Sequence, residues 1–217
     1  DALTHAVEAY IGNWGTEFSD RMALSAVSMI YENLPLAYAD GQNLAAREQM
    51  ALASTYAGMA FTRANDGNVH AIAHQLGGQY HTPHGLANAI LLPPVLRFSS
   101  VAIENKLAVL AQRAGLARRG DSESRLAAKF LDSIEAMNRG LRIPKHLDAL
   151  REQDIPGLAR AACWEADTNY PVPRVMSQEA CRALLREVLP ETAKRRSAAR
   201  RKPTPTKAPA RKAPAGR

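Results

Sequence analysis

Histidines are concentrated in one short stretch of this chain. Four of the six His residues lie between Gly67 and Gly85, in the segment GNVHAIAHQLGGQYHTPHG. A carboxylate and an imidazole, Asp1 and His5, lie four residues apart at the start of the chain. Carboxylate oxygens and neutral imidazole nitrogens suit Zn²⁺ or Fe²⁺ as ligands. These residue types therefore suggest the parts of one metal site.

The spacing of these histidines requires the central stretch to bend. A helix presents His70 and His74 on one face, because they are one turn apart. An unbroken helix would place His84 about 21 Å from His70, too far for both to bind one ion. Gly77-Gly78 and Thr82-Pro83 predict a break between them. We therefore expect His84 to begin a second helix that folds back towards His70.

The same residues also have an ordinary structural interpretation. A His pair at this spacing is often incidental, and Asp1 would be a common helix N-cap. We expect His81, in a turn beside Tyr80, to lie at the surface, and His146 to be structural or solvated. From spacing alone, a metal site and a set of unconnected histidines both remain open.

Apolar residues at helical spacing predict an all-α fold of seven to nine helices. Asp20 is expected to cap the second helix, while Pro35 and Pro93-Pro94 are expected to end helical segments. Ser177 is expected to cap the last helix. The predicted helices are 1–12, 20–34, 44–61, the His70 and His84 segments, about 103–114 and 126–140, two short helices at 147–150 and 157–165, and one that follows Ser177.

The composition is consistent with packed helices. The chain is 46% hydrophobic but only 6% aromatic, which favours helices over a β-sandwich. Cys163 and Cys181 match no zinc motif and are predicted to be reduced thiols in the core. The sequence has no run of eighteen apolar residues and no signal peptide. We therefore expect no membrane span and a cytoplasmic location.

The net charge of +7 comes from the end of the chain. Residues 194–217 contain ten Lys and Arg and no acidic residue; without them, 18 basic residues face 21 acidic ones, a net charge of −3. We predict a helical domain over 1–190 and a disordered Ala/Pro/Lys/Arg-rich tail over 191–217. Weak, nonspecific nucleic-acid contact through this tail is an alternative function.

The sequence resembles the C-terminal half of the iron-containing (group III) alcohol dehydrogenases. This family includes propanediol (lactaldehyde) oxidoreductase and the iron-dependent ethanol and butanol dehydrogenases. The resemblance extends from Asp1 to about Leu189 and is tightest at DALTHAVEAY, at residues 67–92 and at Pro171–Pro173. It implies a helical metal-binding domain of the dehydroquinate-synthase-like type.

The resemblance also implies roles for individual residues. Asp1, His5, His70 and His84 match the family's ligands to Fe²⁺, for which Zn²⁺ is an alternative. His74 matches a residue that lines the active site, where it would act catalytically as a proton relay. Phe61 matches an aromatic residue beside the nicotinamide, in a cofactor-binding position.

The implied activity is reversible oxidation of a small alcohol to an aldehyde or ketone with NAD or NADP. We expect the family's N-terminal dinucleotide-binding α/β domain to be missing from this chain, because the sequence offers no strand followed by a Gly-rich turn and a helix. We therefore expect a fragment of a longer product, incomplete as a dehydrogenase by itself, that would also form homo-oligomers. A catalytically silent truncated remnant is the competing interpretation.

Overall fold

The computed structural model describes residues 1–190, so the predicted tail at 191–217 and its suggested nucleic-acid contact lie outside the described residues. The described part is helical, with no strand, which confirms the predicted all-α class. Its elements, in chain order, are α1 (Ala2–Ile11), α2 (Glu17–Ala39), α3 (Leu44–Ala64), α4 (Asn68–Tyr80), α5 (His84–Arg113), α6 (Glu123–Gly140), a 3-10 turn (Glu152–Asp154), α7 (Ile155–Asn169) and α8 (Gln178–Glu187).

Two groups of helices meet around α1 and α5. The first group is α1, α2 and α3, which pack on one another, and the second is α4, α7 and α8. Helix α5 contacts α1, α2, α4, α6 and α8 and so connects the groups. Five buried alanines on α3 allow its neighbours to approach closely; they are Ala46, Ala53, Ala57, Ala60 and Ala64.

The prediction that prolines end helices was wrong for α2 and α5. Pro35 lies inside α2, and Pro93 and Pro94 lie inside α5, whose backbone leaves helical geometry only at Ile103 (φ −133°, ψ 18°). Pro93 has no N–H to offer the carbonyl of Ala89. The Asn138 side chain on α6 donates to that carbonyl instead, at 2.7 Å. Tertiary contact thus replaces the local hydrogen bond.

Two further local predictions were wrong. Thr16, not Asp20, caps α2: its hydroxyl accepts from the Ser19 N–H, and the Ser19 hydroxyl accepts from the Thr16 N–H. This reciprocal capping box places the N-cap of α2 four residues earlier than expected. Residues 147–150 form a turn instead of a short helix, held by the Leu147 N–H, which donates to the Val188 carbonyl at 2.9 Å. The cysteine prediction is confirmed, since Cys163 and Cys181 are both free and buried.

Helix α5 is long and apolar enough to cross a membrane by length and composition. Most of its apolar stretch is buried inside the protein, however, as in the core helix of a globular domain. We therefore interpret α5 as a core element.

Lys106 fixes the end of α1 against α5. Its ammonium donates to the carbonyls of Tyr10 and Gly12 at 3.0 Å and of Ile11 at 3.2 Å. The last carbonyls of a helix have no intrahelical donors, so this cation satisfies them and opposes the negative end of the helix dipole. Burial lowers the pKa of Lys106, and the nearby Asp20 carboxylate opposes that effect.

We expect Lys106→Met to lower the free energy of unfolding by roughly 1–3 kcal/mol, because three carbonyls lose a charged donor. Urea denaturation followed by circular dichroism measures the change. Lys145→Met is the control: Lys145 is exposed, and its replacement should change stability by less than about 0.5 kcal/mol. Equal stability of the two variants would contradict the capping role.

Candidate metal centre

The beginnings of three helices bring the four predicted ligands together. Asp1 is the N-cap of α1, and His5 follows within its first turns. His70 lies in the first turn of α4, and His84 is the first residue of α5. One ligand atom from each of these residues lies within 4.8 Å of the others. Rigid helices therefore hold one carboxylate and three imidazoles around a single point.

The ring contacts show how closely the imidazoles converge. The His5 ring stacks on the His70 ring at a centroid distance of 4.6 Å, and His70 lies 5.3 Å from His84. The Phe61 ring from α3 stacks on the His5 ring at a centroid distance of 4.3 Å. His70 is buried, whereas the Asp1 and His84 side chains are 40% and 44% exposed. The cluster is therefore closed at His70 and open to solvent at Asp1 and His84.

Glu8 holds the buried side of the cluster. Its carboxylate is 2% exposed and accepts from the backbone N–H groups of Gly67, Val69 and His70 at 2.8–3.2 Å. The N-cap of α4, Gly67, has no side chain, so a carboxylate from α1 caps α4 in its place. Glu8 also lies 2.7 Å from Nδ1 of His70. The Nδ1 hydrogen therefore points to Glu8, and Nε2 is the nitrogen that carries the lone pair.

The electrostatics favour neutral imidazoles at His5 and His84. Burial, assisted by the charge of His70, lowers the pKa of His5 to about 3. Burial also lowers the pKa of His84. Burial alone would lower the pKa of His70, but the hydrogen bond and charge of Glu8 raise it above its usual value. Because metal ligands must offer lone pairs, the neutral His5 and His84 and the oriented Nε2 of His70 fit a divalent cation.

His74 lies beside the four ligand groups, not among them. The His74 ring stacks on the His84 ring at a centroid distance of 5.3 Å, with an interplanar angle of 14°. Its Nδ1 lies 2.6 Å from the Glu165 carboxylate on α7, which also accepts from the Tyr170 hydroxyl and the Gln75 amide at 2.8 and 2.6 Å. Glu165 thus orients His74 with Nε2 free for another partner.

A model of the C-terminal region of the Fe-containing alcohol dehydrogenase family matches residues 1–189. The chain is 43% identical to 1,3-propanediol dehydrogenase of Klebsiella pneumoniae over 189 residues, covering 86% of this chain and 49% of that protein. It is 35% identical to NAD-dependent methanol dehydrogenase of Bacillus methanolicus, covering 87% of this chain and 50% of that one. The chain belongs to the iron-containing alcohol dehydrogenase family.

Solved structures of family members share this fold. The crystal structure of a 1,3-propanediol oxidoreductase superposes with a TM-score of 0.83 at 42% identity, over 87% of this chain and 50% of that one. The alcohol dehydrogenase from Oenococcus oeni gives a TM-score of 0.82 at 33% identity, over 87% and 49%. The chain thus spans about half the length of the curated relatives it matches.

Membership of the iron-containing family implies metal binding, and the cluster of Asp1, His5, His70 and His84 could provide it. The two remaining histidines, His81 and His146, lie apart from this cluster. His81 is exposed and forms the left-handed C-cap of α4 (φ 54°), and His146 lies between α6 and the 3-10 turn.

Three polar residues at the centre were missed by sequence reasoning. Glu8 shares a face of α1 with Asp1 and His5, and Asn88 follows His84 by one turn, so helical spacing could have indicated both. Nothing in the spacing connects Glu165 with His74, because they meet only through the packing of α7 on α4.

The contact between Glu8 and α4 requires glycine at residue 67. A Cβ atom at Gly67 would lie 2.6 Å from Oε1 of Glu8. We expect Gly67→Ala to displace the carboxylate and to lower the free energy of unfolding by roughly 1–3 kcal/mol. Thermal and urea denaturation of the metal-free protein measure this loss.

Gly78→Ala is the matched control on the same helix, because a Cβ at Gly78 meets nothing within 4 Å. This substitution should stabilise α4 by roughly 0.5–1 kcal/mol through the lower backbone entropy of alanine. If Gly67→Ala were as harmless as Gly78→Ala, the close approach of Glu8 would be wrong.

Proposed function

We propose that this chain is the metal-binding half of a metal-dependent alcohol dehydrogenase. The complete enzyme would oxidise small alcohols reversibly to aldehydes or ketones, with NAD or NADP as the hydride acceptor. The observation that carries the proposal is the convergence of Asp1, His5, His70 and His84 from three helices to within 4.8 Å. Relatives named for 1,3-propanediol and methanol dehydrogenation support the substrate class.

The proposed ligands are Asp1, His5, His70 and His84, with Fe²⁺ or Zn²⁺ as the ion. When bound, such an ion supplies a Lewis acid that lowers the pKa of an alcohol hydroxyl. The Asp1 carboxylate would offset part of the positive charge, and the neutral imidazoles would leave much of the acidity in place. Glu8 keeps Nε2 of His70 directed into the cluster.

His74 is proposed as the residue that moves the proton of the substrate hydroxyl. Its Nδ1 is held by Glu165, so Nε2 is the nitrogen available to accept a proton. Imidazole is the commonest side chain in this role. Tyr170 and Gln75 hold the Glu165 carboxylate in place. The proposed role of Phe61 is to present an apolar ring to the nicotinamide while it supports His5.

The metal proposal predicts one ion per chain. Chelator-treated protein, reconstituted with Fe²⁺ under anaerobic conditions or with Zn²⁺, should retain about one equivalent after gel filtration. His84→Ala should lose stoichiometric binding, since one of four ligands is removed. Elemental analysis provides the measurement.

His81→Asn is the control for the metal experiment, because His81 is exposed and Asn tolerates its left-handed backbone. It should bind metal as the parent protein does. Absence of stoichiometric metal in the parent, or full retention in His84→Ala, would contradict the assignment.

The catalytic proposal requires a dinucleotide-binding half. We suggest a chimera in which residues 1–189 replace the matching half of the K. pneumoniae 1,3-propanediol dehydrogenase. The chimera should reduce NAD⁺ in the presence of 1,3-propanediol. His74→Ala should lower kcat on the order of a hundredfold or more, with metal content unchanged, because the proton-transfer group is lost.

Two outcomes of this assay are decisive. A chimera that is folded and metal-loaded but inactive would support the silent-remnant interpretation. Equal kcat values for the parent chimera and His74→Ala would overturn the proton-relay role while leaving the metal assignment intact.

A further inference from the structure

Asn88 occupies an unusual position at the centre of the cluster. It is fully buried on α5, one turn after His84. Its Nδ2 lies 2.7 Å from Oδ1 of Asp1, 3.0 Å from Nε2 of His70 and 3.2 Å from Nε2 of His84. One amide nitrogen therefore contacts three of the four proposed ligand residues, each from a different helix.

The oxygen of the same amide has no partner. Oδ1 of Asn88 is buried and accepts no hydrogen bond from any residue in the described range 1–190. Nearly all buried polar atoms in native proteins are hydrogen-bonded, so an unpaired amide oxygen beside a cluster of ligands requires an explanation. All contacts of this side chain are on the nitrogen side, although an amide has acceptor capacity equal to its donor capacity.

The lone pairs that Nδ2 contacts are those that a cation would need. The Nδ2 group carries two hydrogens, which these three acceptors share. An atom that accepts an amide hydrogen cannot offer the same lone pair to a metal. An N–H group that faces a divalent cation is also repelled, whereas an amide oxygen is attracted and serves as a ligand to hard cations. Rotation of the terminal amide by half a turn exchanges the two atoms within the same volume.

We propose that Asn88 is a fifth residue of the metal centre and that its amide turns over when the metal binds. In the metal-free protein, Nδ2 holds Asp1, His70 and His84 together and so keeps the beginnings of α1, α4 and α5 assembled. In the metal-bound protein, Oδ1 faces the cation. This inference rests on the proposed metal site. It adds the amide oxygen of Asn88 to the side-chain groups that the four ligand residues offer to the cation.

The test compares Co²⁺ binding by the full chain and by Asn88→Ala. Affinity is measured by competition with a chromophoric chelator, and the visible absorption of bound Co²⁺ reports its coordination. Loss of the amide oxygen should weaken binding on the order of tenfold or more, as removal of residues that support a metal site commonly does. It should also change the Co²⁺ spectrum, which a purely structural role for Asn88 would leave unchanged.

Asn68→Ala is the matched control. Asn68 is also buried with an unpaired Oδ1, but its Nδ2 donates to the Arg174 carbonyl at 3.0 Å and contacts none of the ligands. Asn68→Ala should lower stability while the affinity for Co²⁺ and the spectrum remain those of the parent.

Asn88→Asp is the second variant, and it decides the matter if Asn88→Ala does not fold. A carboxylate has the same shape as the amide but cannot donate to three converging acceptors, so the metal-free Tm should fall. The same carboxylate should face the cation with a full charge, so Co²⁺ should bind more tightly than to the parent.

The results separate this inference from the proposed function. Binding of Co²⁺ by Asn88→Ala with parental affinity and spectrum, or weaker binding by Asn88→Asp, would overturn the role of Asn88 alone. Failure of the parent protein to bind Co²⁺ would overturn the metal site itself, and the role of Asn88 with it.

Discussion

The carboxylate of Glu8 is the interaction on which the rest of the centre depends. The Glu8 side chain extends from α1 and accepts hydrogen bonds from the buried N–H groups of Gly67 and Val69 at the start of α4, and it contacts Nδ1 of His70. A buried carboxylate is tolerated because donors surround it. One carboxylate side chain thus joins the helix that carries His5, with Asp1 at its N-cap, to the helix that carries His70. Gly67 lies so close to this carboxylate that the contact between the two helices requires a residue without a side chain at that position.

Sequence reasoning succeeded where the determining interactions are local. The break at Thr82-Pro83 is encoded in a few neighbouring residues, and the structure places His84 at the start of a new helix as expected. The break predicted at Gly77-Gly78 was wrong, because both glycines lie inside α4. The family resemblance is confirmed by the match over residues 1–189. The predicted roles of His74 and Phe61 stay predictions, although both rings contact the cluster.

Sequence reasoning failed where a distant group changes the outcome. Pro93 was expected to end a helix, but Asn138 supplies the missing donor from another helix. Glu165 meets His74 only after α7 packs on α4. Such contacts depend on tertiary packing, which propensity and periodicity do not encode.

The prolines inside α5 have a consequence for how the protein folds. A helix normally gains stability from its own hydrogen-bond ladder, but the segment that begins with His84 has two gaps in that ladder at Pro93 and Pro94. At one of these gaps, the side chain of Asn138 on α6 donates the hydrogen bond that the Ala89 carbonyl would otherwise lack. The segment that bears His84 and Asn88 is therefore not an autonomous helix, and its order depends on a partner helix far along the chain. The packing of α6 on α5 thus supports, from a distant part of the chain, the helix that begins at a proposed metal ligand.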